Sequence, residues 1–257
     1  MSGEGVLTYA VIADGPGDRA LLPIVRWSLR KCLPTSSFGP PTFRVRGSQP
    51  IVDAIVEVNL KYRPDIVFVH RDAEKLSAAV RLAEIPSRDA VVPIVPIRMT
   101  EAWLLIDEGA IRQAAGNPNG KTALALPPVK QLEELPDPKA ILRALLISAS
   151  EYSGRRRRKF DHAAAFRRLA DLIEDFSPLL RLSAFGRFCE DLTAVLGRSS
   201  LPDHTSLSAS DPFKYLSQNV RIGARATPGF SSIVECSEPT GAAGRSARPP
   251  RPPPPRR

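Results

Sequence analysis

Residues 6 to 18 read V-L-T-Y-A-V-I-A-D-G-P-G-D. A short apolar run cut off by Asp-Gly-Pro-Gly has the length and composition of a buried strand that enters a tight turn. A strand with no polar face belongs inside a sheet covered on both sides, the usual state of a parallel strand. Two further segments repeat the pattern. D-I-V-F-V-H at 65 to 70 is β-branched and aromatic and predicts a central strand, and A-V-V-P-I-V at 90 to 95 predicts a fourth. Pro93 places that fourth strand at an edge or in a bulge. Thr42 to Arg46 predicts the second strand.

Helix-period segments separate these runs. Asp18 to Leu33 carries Leu21, Leu22, Ile24, Val25 and Leu29 at helical spacing and stops at Pro34; Ile51 to Tyr62 follows Pro50, with Ile51, Ile55 and Val58 on one face. Lys75 to Ala83 predicts a third helix. Thr100 to Ala115 predicts a fourth, with Thr100 as its N-cap and Gly116 as its stop. Alternating strands and helices define an α/β class: a mainly parallel central sheet of about four strands between helices, a Rossmann-like three-layer arrangement. Beyond Pro136 the pattern is helical throughout, over Pro138 to Ser148, Asp161 to Phe176 and Pro178 to Leu196. The expected organisation is an α/β domain over residues 1–148, a helical extension packed on it over 149–200, and a tail over 201–257.

The 257 residues carry 36 Lys and Arg against 27 Asp and Glu, a net charge of +9. That excess is local. Residues 201–257 hold 8 basic and 4 acidic residues, and without the run Arg155, Arg156, Arg157, Arg158 and Lys159 the rest of the chain balances at 23 of each sign. A basic excess confined to one run and one tail fits a local nucleic-acid contact, not an enveloping basic channel. The run equally reads as a solubilising loop between helices. The tail holds 10 of the 26 prolines and ends R-P-P-R-P-P-P-P-R-R; it lacks the apolar content to offset the entropy of ordering, so disorder with polyproline character is expected. No apolar stretch approaches the roughly 18 residues needed to cross a bilayer, so no membrane partner is expected. Cys32, Cys189 and Cys236 fit neither a disulfide framework nor a zinc site, which points to a cytoplasmic setting.

In open parallel sheets, ligands collect beyond the carboxyl ends of the strands. Two such positions are acidic here: Asp14 and Asp18 in D-G-P-G-D, and Asp72 and Glu74 in H-R-D-A-E after His70. If the first and third strands are neighbours, these carboxylates converge on one edge, as a hard divalent cation with oxygen ligands requires. The plain reading assigns Asp18, Asp72 and Glu74 to helix N-termini. The glycine-rich turn lacks the lysine and spacing of a P-loop. Glu101 has two readings, as a group reaching the site or as a first-turn residue.

D-G-P-G-D after the first strand resembles the acidic-Gly-x-x-acidic signature of Toprim domains, the catalytic module of topoisomerases, primases and OLD-type nucleases. H-R-D-A-E is similar to their acidic-x-acidic motif. I-R-M-T-E-A-W-L-L-I-D at 97 to 107, with L-P-D-P-K at 135 to 139, resembles a bacterial Toprim-like family with a Glu-Ala-Trp-Leu-Leu core, some of whose members are encoded near ATPases of defence systems. The resemblance implies Mg²⁺ or Mn²⁺ as cofactor, with Asp14 as general acid or base. It implies Asp72 and Glu74 as metal ligands, Asp18 as a further carboxylate at the metal, and Glu101 and His70 as supporting residues. Asp14 stands where these enzymes usually carry Glu. The acidic triplet has two registers, Asp72-Ala73-Glu74 or one in which His70 occupies the first acidic position. The implied function is metal-dependent phosphodiester processing, as the nuclease component of a bacterial defence system acting with an ATPase. The alternative is a non-catalytic module of the same fold that binds nucleic acid or protein.

Overall fold

The computed structural model describes residues 6–198, and the tail from 201 onward lies outside the described residues. Four strands, β1 (Tyr9–Ala13), β2 (Thr42–Val45), β3 (Ile66–His70) and β4 (Val91–Ile94), form one sheet in the order β2-β1-β3-β4. All three pairings are parallel: Val11 lies opposite Phe43 and Phe68, and Phe68 opposite Val92. This is the α/β arrangement expected from the alternating pattern. β4 is an edge strand, one of the two placements open to Pro93, because an edge strand needs ladder donors on one side only.

The period-2 alternation along each strand divides the core between the two faces. Tyr9, Val11, Ile66 and Phe68 face a large cluster with helix α1 (Leu21–Cys32), whereas Ala10, Ile12, Val67 and Val69 face helix α2 (Ile51–Tyr62). The larger cluster also takes in helices α4 (Glu108–Ala114), α5 (Pro138–Ser150), α7 (His162–Leu172) and α8 (Ser183–Arg198). Trp103 is fully buried there and meets Phe185 edge to face at 5.1 Å. The smaller cluster is closed by α2 and the short helix α3 (Ala78–Ala83). Three layers result, and β1 becomes the point of topological reversal, with β2 on one side and β3 on the other.

Two sequence expectations are corrected. The helix expected over Thr100 to Ala115 is broken: Thr100–Leu104 is a 3₁₀ turn, and α4 begins only at Glu108, where the Asp107 carboxylate accepts from Ala110 N at 2.9 Å. Asp107 is therefore the N-cap. Thr100 is withdrawn from capping because its backbone N–H and hydroxyl both bond Asp72. Gly116 does stop the helix, with a left-handed φ of +79°. The basic run is not a loop but a five-residue helix, α6 (Gly154–Arg158), with every residue exposed. Among the described residues no helix is long and apolar enough to cross a membrane.

Candidate metal centre

The chain leaves β1 at Asp14 and turns through a 3₁₀ segment, Pro16–Ala20, where the Asp18 carboxylate folds back to accept Gly15 N at 2.8 Å. It leaves β3 at His70, and the ladder to the β4 side persists, with Arg71 N donating to Ile94 O and Ala73 N to Pro96 O. The extension ends where Glu74 N donates to Arg98 O, both residues having left-handed φ of 52° and 68°. Because β1 and β3 are paired neighbours, Asp14, Asp18, His70 and Asp72 share one edge of the sheet.

His70 is the centre of the cluster. It is fully buried, yet its ring lies between two carboxylates: Nε2 is 3.0 Å from Asp72 Oδ1, and Nδ1 is 3.4 Å from Asp18 Oδ2. The Asp18 contact lacks hydrogen-bond alignment, since Nδ1 has no bonded partner, so the Asp72 contact is the stronger of the two. Burial alone pushes the imidazole towards neutrality. The close contacts and charges of Asp18 and Asp72 outweigh it and raise its pKa to about 10. Asp18 responds in kind: burial pushes its carboxyl up, but His70 and the Gly15 N–H hold it below the usual range.

Asp72 Oδ1 is saturated with donors, receiving Thr100 N at 2.9 Å, Thr100 Oγ1 at 3.3 Å and His70 Nε2 at 3.0 Å. Thr100 Oγ1 also lies 3.1 Å from His70 Nε2. Among the described residues, no donor bonds the other oxygen of Asp72 or of Asp18. Glu101 follows Thr100, is largely buried, and pairs with Lys139 Nζ at 3.7 Å. Its carboxyl is raised by burial first, and then by the nearby charge of Asp72 despite Lys139. It sits in the first turn of the 3₁₀ segment, as one of its two readings has it.

Asp18, His70 and Asp72 bring ligand atoms within 4.8 Å of one another. The two carboxylates are of the type a hard divalent cation takes. His70, protonated between them, has no lone pair to give, so the atoms open to a cation are the carboxylate oxygens that no described donor bonds.

Glu74 is not brought into this group. Its carboxylate is 60% exposed and pairs with Arg81 at 3.3 Å. Of the two registers, the one whose residues converge is His70 with Asp72. Asp14 lies beside the cluster, and its Oδ1 is held by Arg46 Nη2 at 2.5 Å and by Arg71 Nη1 at 3.4 Å. Its pKa is raised, by burial first, against the pull of Arg71.

Sequence reasoning missed Arg46, Thr100 as an anchor, and Lys139. A polar residue directly after a strand was the available signal for Arg46; Thr100 and Lys139 gave none, as their roles depend on tertiary placement. Arg155 to Lys159 form no ion pair among the described residues; Tyr152 and Phe160 flank α6 and pack edge to face at 6.1 Å. Comparison of the chain with protein-family models, curated proteins and solved structures finds no match.

Proposed function

We propose that the protein is a divalent-cation-dependent, phosphodiester-processing protein of Toprim-like type that uses Mg²⁺ or Mn²⁺ and acts on nucleic acid. The observation that carries the reading is the convergence of Asp18, His70 and Asp72 at the carboxyl edge of β1 and β3, where the strand order reverses. Asp18 and Asp72 hold the cation, with Glu101 beside them. A bound divalent cation supplies charge stabilisation at a phosphoryl centre and activation of oxygen nucleophiles.

The chain's own groups have distinct parts in this reading. His70 locks Asp18 and Asp72 in register from below, and Thr100 fixes the Asp72 rotamer. Asp14, whose carboxyl burial raises against the pull of Arg71, lies beside the cluster as the group to exchange a proton. The exposed helix α6 supplies sequence-independent phosphate contacts. An ATPase partner belongs to the proposal on the strength of the sequence resemblance alone.

One observation favours a non-catalytic reading. His70, buried between Asp18 and Asp72, neutralises as a cation part of the charge that would attract metal, and in the second register of the resembled motif it stands at an acidic position. Calorimetric titration with Mg²⁺ and Mn²⁺ separates these. The wild type and Glu74→Gln are expected to bind alike, and Asp72→Asn to lose binding while keeping its far-ultraviolet circular dichroism. Cleavage of supercoiled, linear and single-stranded DNA and of RNA, in the wild type against Asp14→Ala and Asp72→Ala, then tests activity. Metal binding without cleavage of any substrate, with and without a neighbouring ATPase, selects the binding module. No metal binding removes the proposal.

A further inference from the structure

Asp14 lies between two arginines that reach it from both strands flanking β1. Arg46 follows β2 and its N–H continues the ladder to Ala13 O, while Arg71 follows β3. Both guanidiniums are nearly buried, with side-chain exposures of 9% and 14%. Both reach the same oxygen, Asp14 Oδ1, Arg71 by a hydrogen bond and Arg46 by an ion pair. Neither depends on Asp14 to stay in place, because Arg46 Nη1 is anchored on Gln49 O at 2.8 Å and Arg71 Nη2 on Glu84 at 2.8 Å. Each also keeps a buried Nε–H without a hydrogen-bond partner.

Two pre-anchored guanidiniums with donors to spare, converging on a single oxyanion atom, are the arrangement that recognises phosphate. We infer that Arg46 and Arg71 form an oxyanion site of which the Asp14 carboxylate is the resting occupant, exchanged for a phosphate group when one binds. The inference deepens the phosphodiester reading and rests on it for the identity of the anion. The exchange also releases Asp14 from the two cations that hold it, so occupation of the site by phosphate frees the carboxylate for proton transfer.

Arg46, Arg71, Arg81 and His70 face Asp14, Asp18, Asp72, Glu74 and Glu84. Counted with Arg98, Lys139 and Glu101, the edge carries as many cations as anions, so the carboxylate that competes most directly with phosphate is Asp14 itself. A divalent cation bound beside it would add to the attraction for phosphate.

The test measures two probes, inorganic phosphate by calorimetry and fluorescein-labelled dT12 by anisotropy, each with Ca²⁺ and with EDTA. The proteins are wild type, Asp14→Asn, Arg46→Gln and Arg71→Gln. Asp14→Asn is expected to bind phosphate at least about fourfold tighter, the effect of removing a like charge about 5 Å away even at the dielectric of water. Arg46→Gln and Arg71→Gln are expected to bind roughly tenfold weaker, as for loss of one charge-assisted hydrogen bond. If either arginine variant fails to fold, Asp14→Asn still decides, because misfolding does not produce a gain. Tightening for both probes assigns the site to nucleic-acid phosphodiesters. Tightening for inorganic phosphate alone keeps the site and assigns it to a free phosphate group. Unchanged or weaker phosphate binding by Asp14→Asn overturns the inference, even if Ca²⁺ binds. Tightening in EDTA by a protein that binds no Ca²⁺, Mg²⁺ or Mn²⁺ preserves the inference and sinks the metal reading.

Discussion

Replacing His70 with Gln removes a buried cation while keeping a side chain that can donate and accept. In the folded protein the His70 pKa is about 10, against 6.5 for the exposed group. A folded pKa above the unfolded value means that the imidazolium stabilises the fold fully below pH 6.5. That stabilisation declines as pH rises and is gone above about 10. At about 1.4 kcal/mol per pH unit, the wild type is expected to lose about 3 kcal/mol of this contribution between pH 7 and 9. The depressed Asp18 pKa expresses the same ion pair and adds nothing further on this side; it contributes above the ordinary carboxylate range and is lost as pH falls through its own folded value. At pH 7, His70→Gln leaves two carboxylates without their shared cation, a change expected to cost about 3–5 kcal/mol. Urea denaturation of both proteins at pH 7, 8 and 9 measures the difference directly. The stability gap should close by about 3 kcal/mol across that range. A gap that stays constant would refute a charged His70, and so would imidazole nitrogen shifts of a neutral tautomer at pH 8.

Four other outcomes follow from the same geometry. Mg²⁺ binding measured in buffers of different ionisation enthalpy should release no proton if the outer oxygens of Asp18 and Asp72 are the ligands; release of one proton would make His70 itself a ligand. Trp103→Ala should cost about 3–5 kcal/mol in chemical denaturation, since the indole is fully buried against Phe185 and Phe188. Gly116→Ala, at φ +79°, should cost about 1 kcal/mol by thermal melting, with the site unaffected. Neutralising Arg155 to Lys159 should flatten the dependence of log affinity on log salt by up to about 0.9 for each duplex phosphate that is no longer neutralised, and an unchanged slope would return α6 to a solvated role.

The sheet was legible because its signals are local. Residues 9–13, 66–69 and 91–94 are apolar on both faces, and such runs have few alternatives to a covered parallel strand. Pro93 narrowed the fourth strand to an edge or a bulge. The break between Thr100–Leu104 and α4 was not legible, because 100 to 115 has an uninterrupted helical pattern and Asp107 was read as part of it. What breaks the helix is tertiary: Asp72 Oδ1 holds Thr100 N and Oγ1, and Asp107 then caps a fresh start. Propensity yields where a partly buried carboxylate draws backbone and hydroxyl donors out of the helical pattern.

The candidate site divides along the same line. That Asp14 and Asp72 come together was inferable from strand adjacency, whereas the partner each takes was not. His70 and Glu74 both flank Asp72, two residues away on either side, so the sequence leaves them equivalent. Backbone geometry separates them. His70 is the last residue of β3, with its side chain in the fully buried interior, and Glu74 lies past the end of the ladder with φ 52°, where its carboxylate reaches Arg81 instead. Once His70 is the inner residue, its charge follows from its neighbours: a neutral ring would leave Asp18 and Asp72 repelling across a buried gap, and taking up one proton turns that repulsion into two attractions. The same proton keeps the imidazole from acting as a ligand. A histidine between the two carboxylates therefore neither adds a third carboxylate to them nor separates the pair. It leaves two carboxylates held in register, each with an oxygen no described donor bonds, and the proton count on cation binding is the quantity that shows whether this arrangement works as a metal centre.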